Sequence, residues 1–229
     1  MAKKNQPVEE QKVANVQEPQ KEKPVGTWFE RNRKKVIWVV SIIVGLALVG
    51  VGVYFLWYKP TVKKINENNA AALVYFMQGD WDKALNGDGA DCVGFKAVAD
   101  KNKRFQGSKL AAAYAGMCYY NQGQYEDAIV YLDKFSSKDE DINFKSAVLH
   151  MKGNAYVNLG QYDKALEQYN EAINMAHPLV APACLWRAGL VYLEKGDKAA
   201  AKKEFEKLRA TYPQSFEAQG IDKYINFAQ

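Results

Sequence analysis

The sequence predicts an all-α protein: one N-terminal transmembrane helix, a solenoid of antiparallel helix pairs, and a C-terminal capping helix. Three observations carry this. Gly123-Gln124-Tyr125-Glu126-Asp127-Ala128 recurs as Gly160-Gln161-Tyr162-Asp163-Lys164-Ala165 and again, more loosely, as Gly196-Asp197-Lys198-Ala199-Ala200-Ala201. The copies follow at intervals of 37 and 36 residues, a period that belongs to stacked helix pairs and not to a single globular core. Ahead of them, Val36 to Tyr58 run for 23 positions without a charge.

The chain begins with residues 1–35, rich in Lys, Glu, Gln and Pro and poor in large apolar groups over its first 27 positions. This composition predicts a disordered tail. The segment 36–58 would form a helix of roughly 35 Å, enough for a hydrocarbon core of about 30 Å. Trp38 lies near one end and Tyr54, Trp57 and Tyr58 at the other, as an interfacial belt requires. The run is too long for a cleaved signal peptide and no small-residue cleavage site follows, so it reads as an uncleaved signal anchor. Six basic residues occupy 21–35 and three occupy 59–73. The positive-inside bias therefore puts the N-terminus in the cytoplasm and the repeats outside.

Residues 59–106 hold a degenerate first repeat and short helices. Ala72, Tyr75, Gly79, Trp81 and Ala84 keep the mutual spacing of the later copies, and Asn86-Gly87-Asp88-Gly89 then interrupts with a strong turn signal. A short helix is expected over Phe95 to Lys103. Three full repeats occupy 107–213. Seven residues before each turn glycine stand Gly116, Gly153 and Gly189; five after stand Ala128, Ala165 and Ala201. These small residues mark the crossing of two helices. Tyr119, Tyr156 and Tyr192, with Leu132, Tyr169 and Phe205, fill the remaining space. Gly123, Gly160 and Gly196 fit a left-handed helix end. Residues 214–229 provide a last helix, Phe216 to Phe227, capped by Ser215, with Ile221, Tyr224 and Ile225 covering the open end.

These offsets resemble the tetratricopeptide repeat (TPR), whose small, aromatic, Gly, Ala and Pro marks fall at the same places; Pro213 supplies the last of them. The resemblance implies a concave face built from the first helix of each pair. Its positions would be Ala113, Met117, Tyr120 and Asn121, then His150, Asn154 and Asn158, then Trp186, Leu190 and Glu194, with Arg187 at the edge. Trp186 fits groove or core equally well, and Met117 fits core somewhat better. A face of Met, Tyr, Trp and Asn suits an extended or helical peptide. The carboxylate clamp of some TPR cochaperones would need its basic and amide residues where this chain has Ala113, Met117, Met151, Ala183 and Arg187. Only Arg187 matches, so that mode of recognition is not expected.

Catalytic and metal signatures are not found. His150 and His177 lack ligand spacing, and nucleophile elbows, phosphate loops and dinucleotide fingerprints are missing, so no enzyme activity and no cofactor is expected. Asp139-Glu140-Asp141 precedes a helix and reads as compensation of its dipole. Cys92, Cys118 and Cys184 are too scattered for a disulfide framework, and the latter two should be buried. The net charge of +5 is concentrated at the start: residues 1–35 hold nine basic and five acidic residues, the rest 22 and 21. A near-neutral repeat domain argues against nucleic acid.

The layout of tail, anchor and repeats also resembles the YfgM-like proteins, inner-membrane proteins with a periplasmic TPR domain. That resemblance implies a single-pass inner-membrane protein whose partners are translocon subunits and a membrane-bound chaperone or prolyl isomerase, acting in protein export. Gly45, Gly50 and Gly52 offer a close-packing stripe in the anchor, although glycines are common in membrane spans. The alternative is a scaffold subunit of another envelope machine, in outer-membrane assembly, secretion or motility.

Overall fold

Small residues and left-handed glycines set the architecture. The computed structural model describes residues 26–101, 103–135 and 142–229, and these are helical with short turns. The tail up to residue 25 and the triplet Asp139-Glu140-Asp141 lie outside the described residues. The chain divides into two units, residues 1–54 and 55–229.

In the first unit, α1 spans Gly26–Val53. From Val36 onward it is apolar all round, and Trp38, Leu46 and Leu48 are about as exposed as Ile43 and Val49 on its other faces. None of its most apolar stretch is buried against protein, and the helix is long and apolar enough to cross a membrane. A helix hydrophobic on every side needs an apolar surrounding, which a bilayer supplies.

The second unit opens within a π-helical turn, Tyr54–Tyr58. Among the described residues ten α-helices follow: α2 (Lys59–Met77), α3 (Trp81–Asn86), α4 (Gly94–Lys101), α5 (Gln106–Asn121), α6 (Tyr125–Asp133), α7 (Ile142–Asn158), α8 (Tyr162–Asn174), α9 (Val180–Glu194), α10 (Lys198–Thr211) and α11 (Ile221–Phe227). The pairs α5/α6, α7/α8 and α9/α10 are the three full repeats.

Each pair closes through one device. Gly123, Gly160 and Gly196 have φ of +78°, +68° and +78°. The amides of Gln124, Gln161 and Asp197 then reach back to the carbonyls of Tyr119, Tyr156 and Tyr192, all at 2.9 Å. This is the Schellman closure, which requires a left-handed residue and so favours Gly. The degenerate repeat uses it too: Gly79 has φ +77° and the Asp80 amide bonds the Tyr75 carbonyl at 3.0 Å.

Inside each pair the helices touch at the upstream glycines. A Cβ on Gly116 would lie 2.6 Å from Leu132 Cγ, one on Gly153 2.6 Å from Tyr169 Cδ1, and one on Gly189 2.6 Å from Phe205 Cζ. Ala128, Ala165 and Ala201 are fully buried. The large residue four after each alanine thus sits over the glycine of its own pair, within the pair as well as between pairs.

The degenerate repeat lacks such a residue, because Asp88 stands at that position. The Asp88 carboxylate instead holds the turn, accepting from the Ala90 and Cys92 amides and from the Tyr75 hydroxyl at 2.9–3.0 Å. Phe95, from α4, fills the space: it is fully buried, stacks on Tyr114 at 5.0 Å and meets Phe76 edge-on. The short fourth helix therefore completes the second helix of the first pair.

Two expectations need correction. The last helix does not run from Phe216 to Phe227. Ser215 caps only a 3-10 turn, Phe216–Ala218, and Gly220 at φ +72° breaks the chain before α11. Ile221 and Ile225 still close the core, with Tyr224 half-buried over Phe205. Ala113 is not a groove residue: it is fully buried with Leu132, Phe135 and Val148.

Candidate protein-binding face

The first helices of the pairs, α5, α7 and α9, bring several of the expected site residues together. The centre of the cluster is Asn154 on α7. Its Oδ1 accepts from the Tyr169 hydroxyl at 2.7 Å, and its Nδ2 lies 3.4 Å from His150 Nε2, one turn away. Asn158, a further turn on, donates to the Asn154 carbonyl at 2.8 Å and faces the Tyr120 hydroxyl of α5 at 3.5 Å. Tyr120 is held edge-on by Tyr125 at 5.5 Å.

Arg187, from α9, is exposed, and its positive charge is felt at both His150 and Tyr169. Burial first, and Arg187 second, push the His150 pKa down to about 4, so the ring is neutral at pH 7. Burial raises the Tyr169 hydroxyl further above its usual range, which keeps it a donor. The face thus offers neutral amide, imidazole and phenol groups beside one cation. Such groups match a peptide backbone, whose N–H and C=O need both acceptors and donors.

The remaining residues are placed differently. Trp186 is half-buried, its edge against Tyr224 at 6.2 Å, while Arg187 covers its face at 5.3 Å. It sits in the seam between the third repeat and α11. Leu190 is half-buried against the same core, and Met117 lies against the cluster of Ala113, Leu132, Phe135 and Val148. Asn121 is exposed and donates to the Met117 carbonyl at 2.8 Å, while Glu194 is exposed at the end of α9.

Sequence reasoning missed one member. The repeat pattern gives Tyr169 only a filling role, yet its hydroxyl anchors Asn154. The signal was present: the equivalent residues of the other pairs, Leu132 and Phe205, carry no polar atom.

The cysteines stand apart from this face. Cys92, Cys118 and Cys184 are buried free thiols, and burial pushes Cys118 and Cys184 up to about 12. They behave as small apolar residues. Among the described residues no group of three His, Cys, Asp or Glu side chains converges on a point that could hold a metal. His177 accepts the Leu179 amide with its Nδ1 at 3.3 Å, in the turn before α9.

The comparisons agree on the fold. Residues 45–221 match the family model described as the N-terminal domain of the type VII (ESX-1) secretion system protein EccA1. Among curated proteins, the human intraflagellar transport protein 88 homolog is 28% identical over 141 residues, covering 60% of this chain and 16% of that protein. The photosystem I assembly protein Ycf3 of Rippkaea orientalis is 28% identical over 102 residues, covering 44% of this chain and 58% of that protein. The chain thus spans well under two thirds of either relative.

Solved structures align over more of the chain. A kinesin light chain TPR-like repeat protein of Podosopora anserina has a TM-score of 0.56 at 15% identity, covering 72% of this chain and 84% of that one. A tetratricopeptide repeat protein of Parabacteroides merdae has a TM-score of 0.57 at 19% identity, covering 72% and 60%. MamA has a TM-score of 0.53 at 20% identity, covering 71% and 81%. At these identities the likeness is one of fold: a TPR-type helical solenoid, the kind of scaffold that holds protein partners.

Proposed function

The chain belongs to the family of the N-terminal domain of the secretion-system protein EccA1, and from that premise we propose that it is a non-catalytic, membrane-anchored adaptor for protein export. Residues 36–58 cross the membrane with the N-terminus in the cytoplasm. Residues 59–106, 107–213 and 214–229 form the degenerate repeat, the three full repeats and the cap on the far side, in the periplasm of a bacterial cell. The face around Asn154 binds a polypeptide. Its partners are translocon subunits and a membrane-bound chaperone or isomerase.

The observation that carries this reading is the shared polar cluster. Tyr120, His150, Asn154, Asn158 and Arg187 come from three successive repeats and converge beside Tyr169. A merely structural array has no need to align such groups across repeats. Met117, Asn121, Trp186 and Leu190 would flank it as apolar anchors and rim.

A second reading is favoured by the family description itself: a scaffold subunit of a dedicated secretion machine. The two are separated by one experiment. A photo-crosslinking amino acid at position 158 or 187, in intact membranes, should capture a partner whose identity mass spectrometry reports. Translocon or chaperone subunits support the first reading, and components of another secretion assembly support the second. Crosslinking unchanged by Asn154→Ala and Trp186→Ala, with the fold intact, would reject this face as the binding surface.

A further inference from the structure

The first full repeat begins beside a cleft of about 180 Å³ lined by Ala99, Lys103, Ser108, Lys109, Ala112 and Lys134. Three of the six are lysines. Asp100 beside it is engaged by Lys134 at 2.9 Å and by the Tyr131 hydroxyl at 2.8 Å. Lys103 has no ion-pair partner among the described residues. Two lysines, Lys103 and Lys134, thus act on the single carboxylate of Asp100, and that pair of cations exceeds its one negative charge.

Ser108 gives the cleft a second, independent mark. It is 1% exposed, and its Oγ has no hydrogen-bond partner. A buried hydroxyl left unpaired is costly and is retained where something else completes it. Ser108 also lies in the first turn of α5, a helix of 16 residues whose N-cap, Phe105, supplies no capping oxygen. The start of a helix attracts negative charge. Lysines, a donor hydroxyl and a helix start are together the chemistry of a phosphate site.

The position of the cleft selects the source of that phosphate. Phe105, whose carbonyl accepts from the Ser108 and Lys109 amides, packs its ring 5.7 Å from Trp57 and 5.6 Å from Tyr58. These two are the last residues of the uncharged stretch 36–58. Aromatic residues at the end of a span lie at headgroup depth.

We propose that this cleft binds the phosphate of an anionic phospholipid headgroup and fixes the base of the solenoid on the membrane surface. The assignment rests on the reading of 36–58 as a membrane span. The test is native mass spectrometry of the full-length chain in detergent, titrated separately with phosphatidylglycerol, phosphatidylcholine and inorganic phosphate. One phosphatidylglycerol per chain should be retained in preference to phosphatidylcholine. Lys103→Ala should weaken it about fivefold, the effect of one lysine at an anionic surface. Ser108→Ala should also weaken it while leaving the lipid-free melting temperature unchanged or raised, a combination that a structural role for the hydroxyl would not give.

Equal retention of the two lipids, or wild-type binding by both variants, would overturn the proposal. Binding of inorganic phosphate without preference between the lipids would assign the cleft to a free anion and overturn the lipid source. Carbonate extraction of the same membranes tests the span separately. A failed lipid assay on a chain that resists extraction rejects the cleft and leaves the anchor standing.

Discussion

Gly153→Ala tests the register of the whole array at one methyl group. In an ordinary helix interior this change is favourable by about 1 kcal/mol, because alanine loses less backbone entropy. Here the added Cβ would lie 2.6 Å from Tyr169 Cδ1 and 2.9 Å from Cζ, and closer still to Cε1. Tyr169 is fully buried, so its ring has no open space to swing into. Forcing extra volume into such a site costs about 1–3 kcal/mol. Displacing the ring also stretches the 2.7 Å bond from its hydroxyl to Asn154, a further loss of about 1 kcal/mol. The balance is a destabilisation of roughly 1–3 kcal/mol, or a fall in melting temperature of roughly 2–12 °C at about 2–4 °C per kcal/mol for a domain of this size.

Thermal unfolding followed by circular dichroism measures the shift, and a cycle with Tyr169→Val isolates its cause. Valine lacks every ring atom near the new Cβ, so in that background Gly153→Ala should return to neutral or stabilising. The coupling between the two sites should exceed about 1 kcal/mol, as expected of residues in direct contact. A melting temperature that rises on Gly153→Ala alone would refute the crossing of α7 and α8 at this residue. The same argument would then fail for Gly116 and Gly189.

Ala165→Arg should destabilise by well over 2 kcal/mol in urea denaturation, since it overpacks a fully buried site on α8 and buries a charge. Ala176 is the one non-glycine described at positive φ, +53°, and Ala176→Gly should raise stability by about 0.5–1 kcal/mol in the same assay. His150 gives a pH signature. Its folded pKa of about 4 lies below the ordinary value of 6.5, so between those limits the unfolded chain binds a proton that the folded chain refuses. The stability attached to the neutral ring is fully present above pH 6.5 and declines as pH falls, by up to roughly 3 kcal/mol near pH 4. His150→Gln should flatten the wild-type difference in urea midpoint between pH 7 and pH 5.

How much of this was legible in the sequence depends on how local the physical demand is. A left-handed helix end constrains one residue, and Gly79, Gly123, Gly160 and Gly196 all meet it at the spacing that first defined the repeat. A close helix crossing constrains two, and Gly116 with Ala128 shows that pairs of small residues survive as a readable code. Gly220 obeys the same rule, yet in the sequence it is masked by Ile221, Tyr224 and Ile225, which make an apolar helical face on their own. Ala113 failed for a different reason. Counting along α5 places it on the inner face, but Phe135 and Val148, from beyond that helix, close over it.

The candidate site needs the most distant agreement. Asn154 bonds Tyr169 on the paired helix, its neighbour Asn158 faces Tyr120 one repeat earlier, and Arg187 one repeat later acts on Tyr169. No window of sequence holds all four. The repeat period nevertheless narrows the search, because residues one period apart must stack: Met117, Asn154 and Leu190 occupy equivalent places on α5, α7 and α9, and only the middle one is polar. In an array built by copying, a polar residue between two apolar equivalents marks where packing alone no longer sets the side chain. Here that departure coincides with the Tyr169 hydroxyl, itself the polar exception between Leu132 and Phe205. Two exceptions at different offsets of the repeat, joined by a 2.7 Å hydrogen bond, mark the second repeat as the place where the array differs from its own pattern.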